Sequence, residues 1–137
     1  MSVKSDYAAR AVLVLARHYP RHVALTMDQV AEAQGLPPKY LPQILLDLKA
    51  KGILRSVRGM AGGYLLARPP AEITMADVLE AVDGPLFEAP GLNNASGPAE
   101  LRRAWEKLRQ SVEVVANSIT FQQLIEESAE KEKMYYI

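Results

Sequence analysis

Gly52-Ile53-Leu54-Arg55-Ser56-Val57-Arg58-Gly59-Met60-Ala61-Gly62-Gly63-Tyr64-Leu65-Leu66-Ala67 holds two short β-type runs, Ile53–Val57 and Tyr64–Ala67. Three of the six residues between the runs are glycine. Glycine takes positive φ without a Cβ penalty, so this connection predicts a hairpin. Pro69-Pro70 closes the second run, because proline cannot donate to a strand ladder.

Three helices are predicted upstream. Ala9, Val12, Leu13 and Ala16 recur at helical spacing between Asp6 and Tyr19, and Pro20 stops the pattern. Asp6 is placed to cap that helix. Thr26-Met27-Asp28-Gln29 reads as a capping box, with Leu25 and Val30 at the staple positions and Gly35 at the C-terminal end. A third helix follows Pro37-Pro38, with Leu41, Ile44, Leu45 and Leu48 as its buried stripe and Gly52 as its stop. Pro42 removes an amide from it, so a tilted or irregular first turn is expected.

Downstream, Thr74 and Asp77 form a second capping box, Ile73 and Val78 a second staple, and Gly84 ends the helix. Residues 85–98 read as a loop, long for a compact domain. A long helix is expected from Ala99 to Ser118. Leu101, Trp105, Leu108, Val112, Val115 and Ile119 recur alternately four and three residues apart, which is a heptad seam. A short helix starting at Thr120 and containing Phe121, Leu124 and Ile125 precedes a charged tail, Glu126–Lys133, and a terminal Met134-Tyr135-Tyr136-Ile137. The expected architecture is mainly α with a small β-hairpin wing. A winged helix-turn-helix occupies 1–84, a loop 85–98, and a dimerisation helix with C-terminal tail 99–137.

The formal net charge of zero conceals a split. Residues 1–68 carry ten Lys/Arg against four Asp/Glu, whereas 69–137 carry six against twelve. A cationic half suits a polyanion, because contacts to DNA phosphates release counterions. The chain contains no cysteine, which excludes disulfides, thiolate catalysis and cysteine-held iron–sulfur clusters, so no cofactor is expected. His18 and His22 flank Pro20 without a third ligand nearby, so no metal site is expected. No serine sits in a base-and-orienter pattern, and Gly59-x-x-Gly62-Gly63 matches neither a dinucleotide fingerprint nor a phosphate loop. No enzyme is expected. The first residues lack a secretory pattern and no apolar run spans a membrane, so a cytoplasmic location is expected.

In a winged helix-turn-helix the third helix enters the major groove, braced by the second. The candidate DNA-contacting residues are Thr26, Pro38, Lys39, Tyr40, Gln43 and Lys49 on the helices, with Ser56, Arg58, Gly59, Gly62, Gly63 and Tyr64 on the wing. Glutamine pairs bidentately with adenine, lysine donates to guanine, and arginine is attracted to a narrow minor groove. The amides at the Thr26 helix start suit a phosphate. The heptad seam suits a second copy of the chain, which would present two reading helices to a pseudo-palindromic operator. Two other readings stay open: a winged-helix module that binds protein, and a small-molecule sensor with its pocket at the 85–98 loop.

Tyr40-Leu41-Pro42-Gln43-Ile44-Leu45, Gly52 to Gly59, Gly62 to Arg68, and Glu72-Ile73-Thr74 through Val82-Asp83-Gly84 resemble the bacterial Rrf-two (Rrf2) family of winged-helix transcription regulators. The resemblance runs from about Val3 to Ile125, and Ser56-Val57-Arg58-Gly59-x-x-Gly62-Gly63-Tyr64 is its most specific block. It implies a homodimer made by the long C-terminal helix, a major-groove third helix and a minor-groove wing. Iron–sulfur members carry three cysteines where this chain has residues 85–98, and that loop has none. The resemblance therefore implies a repressor-type regulator answering to a different, unidentified signal.

Overall fold

The computed structural model describes residues 2–59 and 62–135. Met1, Met60 and Ala61 of the expected hairpin connection, and Tyr136 and Ile137 of the expected tail lie outside the described residues. Helix α1 spans Val3–His18, α2 Met27–Gln34 and α3 Leu41–Ala50. Strands β1 (Leu54–Val57) and β2 (Gly63–Leu66) follow, then α4 (Met75–Asp83), α5 (Ala99–Ser118) and α6 (Phe121–Tyr135).

Helix α1 is central, packed on by α2, α3, α4 and α6. Its buried surface is therefore wider than one amphipathic stripe: Ala8, Ala11, Val12, Val14, Leu15 and Ala16 are all buried. Ala9 and Leu13 are only half-buried. The alanines leave room for neighbouring helices to approach closely. α1 begins before Asp6, which sits in its first turn paired with Arg10 at 3.0 Å and does not cap it. The early start is held from the far end of α4. The Ser2 hydroxyl donates to Asp83 at 2.7 Å, and the buried Ser5 hydroxyl donates to the same carboxylate. These hydrogen bonds, Ser5 first, hold the Asp83 carboxyl below its usual pKa, because they favour its charged form.

The capping boxes at Thr26 and Thr74 are complete, each with reciprocal side-chain and backbone bonds. Gly35 and Gly52 take the left-handed φ values of 61° and 75° that stop α2 and α3. Pro38–Tyr40 forms a 3-10 turn, so Pro42 lands inside the first turn of α3, where its missing amide has no intrahelical partner to lose. The irregularity expected from Pro42 is this preceding tight turn.

β1 and β2 pair antiparallel, with Ser56 opposite Tyr64 and Val57 opposite Gly63. A single residue extends the sheet: Leu25 N–H donates to the Tyr64 carbonyl at 3.1 Å and Tyr64 N–H to the Leu25 carbonyl at 2.7 Å. The wing is thereby stitched to the chain entering α2.

α6 is longer than the short helix expected. It takes in the whole charged stretch 126–133. A third capping box starts it, with Thr120 and Gln123 exchanging bonds of 3.0 and 3.2 Å. Phe121 is fully buried, and its N–H donates to the Ile73 carbonyl at 3.0 Å. α6 packs on α1, so the C-terminal segment returns to the N-terminal unit. Among the described residues, no helix is long and apolar enough to cross a membrane.

Candidate nucleic-acid interface

Burial of Leu41, Ile44, Leu45 and Leu48 turns the opposite side of α3 outward. Lys39, Tyr40, Pro42, Gln43, Leu46 and Lys49 are all exposed. Gln43 Nε2 donates to Asp47 Oδ1 at 2.8 Å. That bond uses one amide hydrogen and orients the group. The second hydrogen and the carbonyl oxygen remain for a base edge, which is the pair adenine requires. Tyr40 is more committed than a free contact residue. Its ring lies 5.7 Å from that of Tyr7, with Lys39 Nζ 5.0 Å from its centroid, although 38% of its surface is still exposed. Pro38 and Lys39 lie in the exposed turn that opens α3.

Lys49 Nζ donates to Ser56 Oγ at 2.9 Å, joining the end of α3 to β1. Helix and wing thus share a side-chain link besides the connecting backbone. Beyond it Arg58 is exposed. The Gly62 N–H donates to the Gly59 carbonyl at 2.9 Å, with Gly59 at φ 115°. Tyr64 is half-buried against the core, whereas Ser56 and Arg58 are exposed. Gly63 has a structural demand of its own, since a Cβ there would run into the Leu25 carbonyl and the Thr26 amide nitrogen. Gly63→Ala is expected to cost about 1–3 kcal/mol in urea unfolding, the usual penalty of overpacking. An unchanged midpoint would mean that the Leu25 segment yields freely. Thr26 is exposed, and its hydroxyl accepts from Gln29 N–H at 3.2 Å, consuming one of the amides considered for a phosphate.

The six seam residues divide into two rows. Leu101, Leu108 and Val115 are 52%, 50% and 59% exposed. Trp105, Val112 and Ile119 are half-buried within the chain. The Trp105 ring lies 6.3 Å from that of Phe87 and covers Gly91, where a Cβ would strike the indole. Val112 and Ile119, with Val115 of the exposed row, line an apolar groove with Met75 and Leu79 of α4. Arg109 pairs with Glu106, and with Glu113 at 2.7 Å, beside the seam.

The 85–98 loop contains a 3-10 turn, Pro90–Leu92, and borders a cleft of about 520 Å3. The cleft's lining includes Asp83, whose carboxylate is already engaged by Ser2 and Ser5. His18 Nδ1 lies 2.9 Å from the Val14 carbonyl, and His22 takes φ 53° at the end of the Tyr19–Arg21 turn. Among the described residues, no three His, Cys, Asp or Glu side chains come together as a metal site. An iron–sulfur cluster does not fit this donor set: the chain has no cysteine, and Glu88 is the one ionisable side chain in the loop.

The family model for Rrf2, described as an iron-dependent transcriptional regulator, matches residues 1–127. An HTH-type transcriptional regulator of Mycobacterium tuberculosis is 44% identical over 125 residues, covering 88% of this chain and 77% of that protein. The structure of IscR from T. potens superposes with a TM-score of 0.81 at 32% identity, covering 99% of this chain and 96% of that one. That of CymR, the global cysteine regulator of B. subtilis, gives 0.81 at 27% identity, covering 90% and 94%.

Proposed function

The chain belongs to the Rrf2 family of transcriptional regulators, and from that premise we propose that it is a cytoplasmic, homodimeric repressor that occupies a pseudo-palindromic operator in promoter DNA. α3 enters the major groove, with Gln43 and Lys39 at base edges. The wing brings Arg58 to the neighbouring minor groove. The carrying observation is that the exposed face of α3 and the exposed wing are joined by the Lys49–Ser56 bond. Both belong to the cationic half of the chain. Lys49 and Ser56 tie the end of α3 to β1 beside the reading elements, and the Thr26 end of α2 braces the backbone. The absence of cysteine supports a signal other than a cysteine-held iron–sulfur cluster.

Operator selection from genomic fragments, followed by a salt titration, tests this reading. Wild type is expected to bind the selected duplex with an affinity that falls steeply with salt. Arg58→Ala weakens binding across sequences and lowers the salt slope by about 1, as loss of one cation from the DNA surface should. Gln43→Ala instead costs about 1–3 kcal/mol at one base position and relaxes choice there. Equal affinity and slope for Arg58→Ala and wild type would place the wing off the DNA. Salt-insensitive binding, or none, would favour a protein-interaction module.

A further inference from the structure

Leu46 stands outside every role assigned so far. It lies on α3, yet it is 58% exposed while Leu41, Ile44, Leu45 and Leu48 are fully buried. A single exposed leucine ordinarily means little. This one is set apart by its position on α3. Helical spacing puts Pro42, Leu46 and Ala50 in one line, all three exposed. Gln43 flanks that line on one side and Lys49 on the other, and each is held by a hydrogen bond, to Asp47 and Ser56. Leu46 is thus at the centre of the outward face, between the Gln43 amide proposed to meet a base edge and the Lys49 ammonium that ties α3 to the wing.

We propose that Leu46 is a specificity-determining residue that packs on the 5-methyl group of a thymine in the major groove. This rests on the reading of α3 as the major-groove helix. Thymine is the one base to present an apolar group there, and side chains that contact it are apolar. The neighbouring lysines favour a polyanionic partner over the apolar face of another protein. Gln43 and Leu46 are one turn apart, so they meet base pairs close together on the site. An adenine step next to a thymine step is the pattern they would jointly select.

The test uses the wild-type chain, Leu46→Ala and the selected operator duplex, with each thymine replaced in turn by deoxyuridine. The replacement removes a methyl group and leaves the hydrogen-bonding edge intact. Alanine at this exposed helical position preserves the fold, which circular dichroism verifies. One deoxyuridine position is expected to weaken wild-type binding about fourfold, the value of one buried methyl. Leu46→Ala should lose a similar factor on the intact operator and be indifferent to deoxyuridine at that position. If both proteins respond alike at every thymine, the proposal is overturned while the DNA reading stands. A Leu46→Ala chain with altered oligomeric state would overturn it in favour of a contact between copies. Failure of wild type to bind any duplex would overturn both.

Discussion

Phe121→Ala is expected to lower the unfolding free energy by about 3–5 kcal/mol, the range for truncating a buried phenylalanine in a core that cannot collapse around the cavity. The side chain is fully buried in the same cluster as Val12, Leu15, Ile73 and Val78. Its backbone is pinned as well, because its N–H donates to the Ile73 carbonyl at 3.0 Å while Met75 N–H donates to the Ile119 carbonyl at 2.9 Å. The cavity would open between the α5–α6 junction and the helix-turn-helix core. Urea unfolding followed by circular dichroism measures the loss. A cost below about 1 kcal/mol, typical of a surface change, would show that the C-terminal helix is an appendage. The same variant should weaken DNA binding through lost folded population before any contact changes.

Phe121 anchors a part of the fold that local sequence pattern does not disclose. Where a helix end is decided by neighbouring residues, it was legible: the Thr26 and Thr74 boxes and the glycine stops follow from chemistry within a turn. Where the decision lies across the molecule, it was not. α1 starts at Val3 because Ser2 and Ser5 meet Asp83, some eighty positions away. The Leu25 bridge to Tyr64 is one residue long, too short for any alternation to show. The charged stretch 126–133 looks like a solvated tail because α6 buries one face of its first turns and then runs on as a polar helix. Its start did carry a readable signal, since Thr120-Phe121-Gln122-Gln123 repeats the pattern of Thr26-Met27-Asp28-Gln29.

The candidate interface divides in the same way. Exposure of Lys39, Gln43, Lys49, Ser56 and Arg58 follows from which residues α3 and the strands bury. What those residues bond to does not. Nothing in the spacing of Lys49 and Ser56 announces that the two touch, because the contact depends on the angle between helix and hairpin. Leu46 had a signal that a leucine-rich helix hides: it alone among the apolar residues 44–48 falls off the buried stripe. Tyr40 is the opposite case. It is a candidate DNA contact in sequence and is partly spent on Tyr7.

Leu108→Glu is expected to turn a dimer into a folded monomer and to weaken operator binding by at least about a hundredfold. The choice of residue follows from the two rows of the seam. Trp105 also leans on Phe87 and Gly91 of its own chain, so a charge there damages the 85–98 loop along with any partner contact. Leu108 is half-exposed within the chain and sits midway between Leu101 and Val115, so replacing it leaves the fold intact. In a two-fold interface the substitution occurs twice, bringing two carboxylates into one apolar contact, where each ion loses several kcal/mol of hydration without a partner. Glu106 and Glu113 are already engaged by Arg109 on the same helix, which leaves the new charges no local relief from that arginine. The DNA effect follows from linkage. Two half-sites held together bind about 10²–10⁴-fold better than one, so separating the protomers forfeits that factor with every base contact preserved. Sedimentation of wild type and Leu108→Glu, beside circular dichroism of both, decides the matter. A folded Leu108→Glu chain that is still fully dimeric would move the partner surface off this row of α5. A monomer that kept wild-type affinity for the full operator would mean that one winged helix suffices.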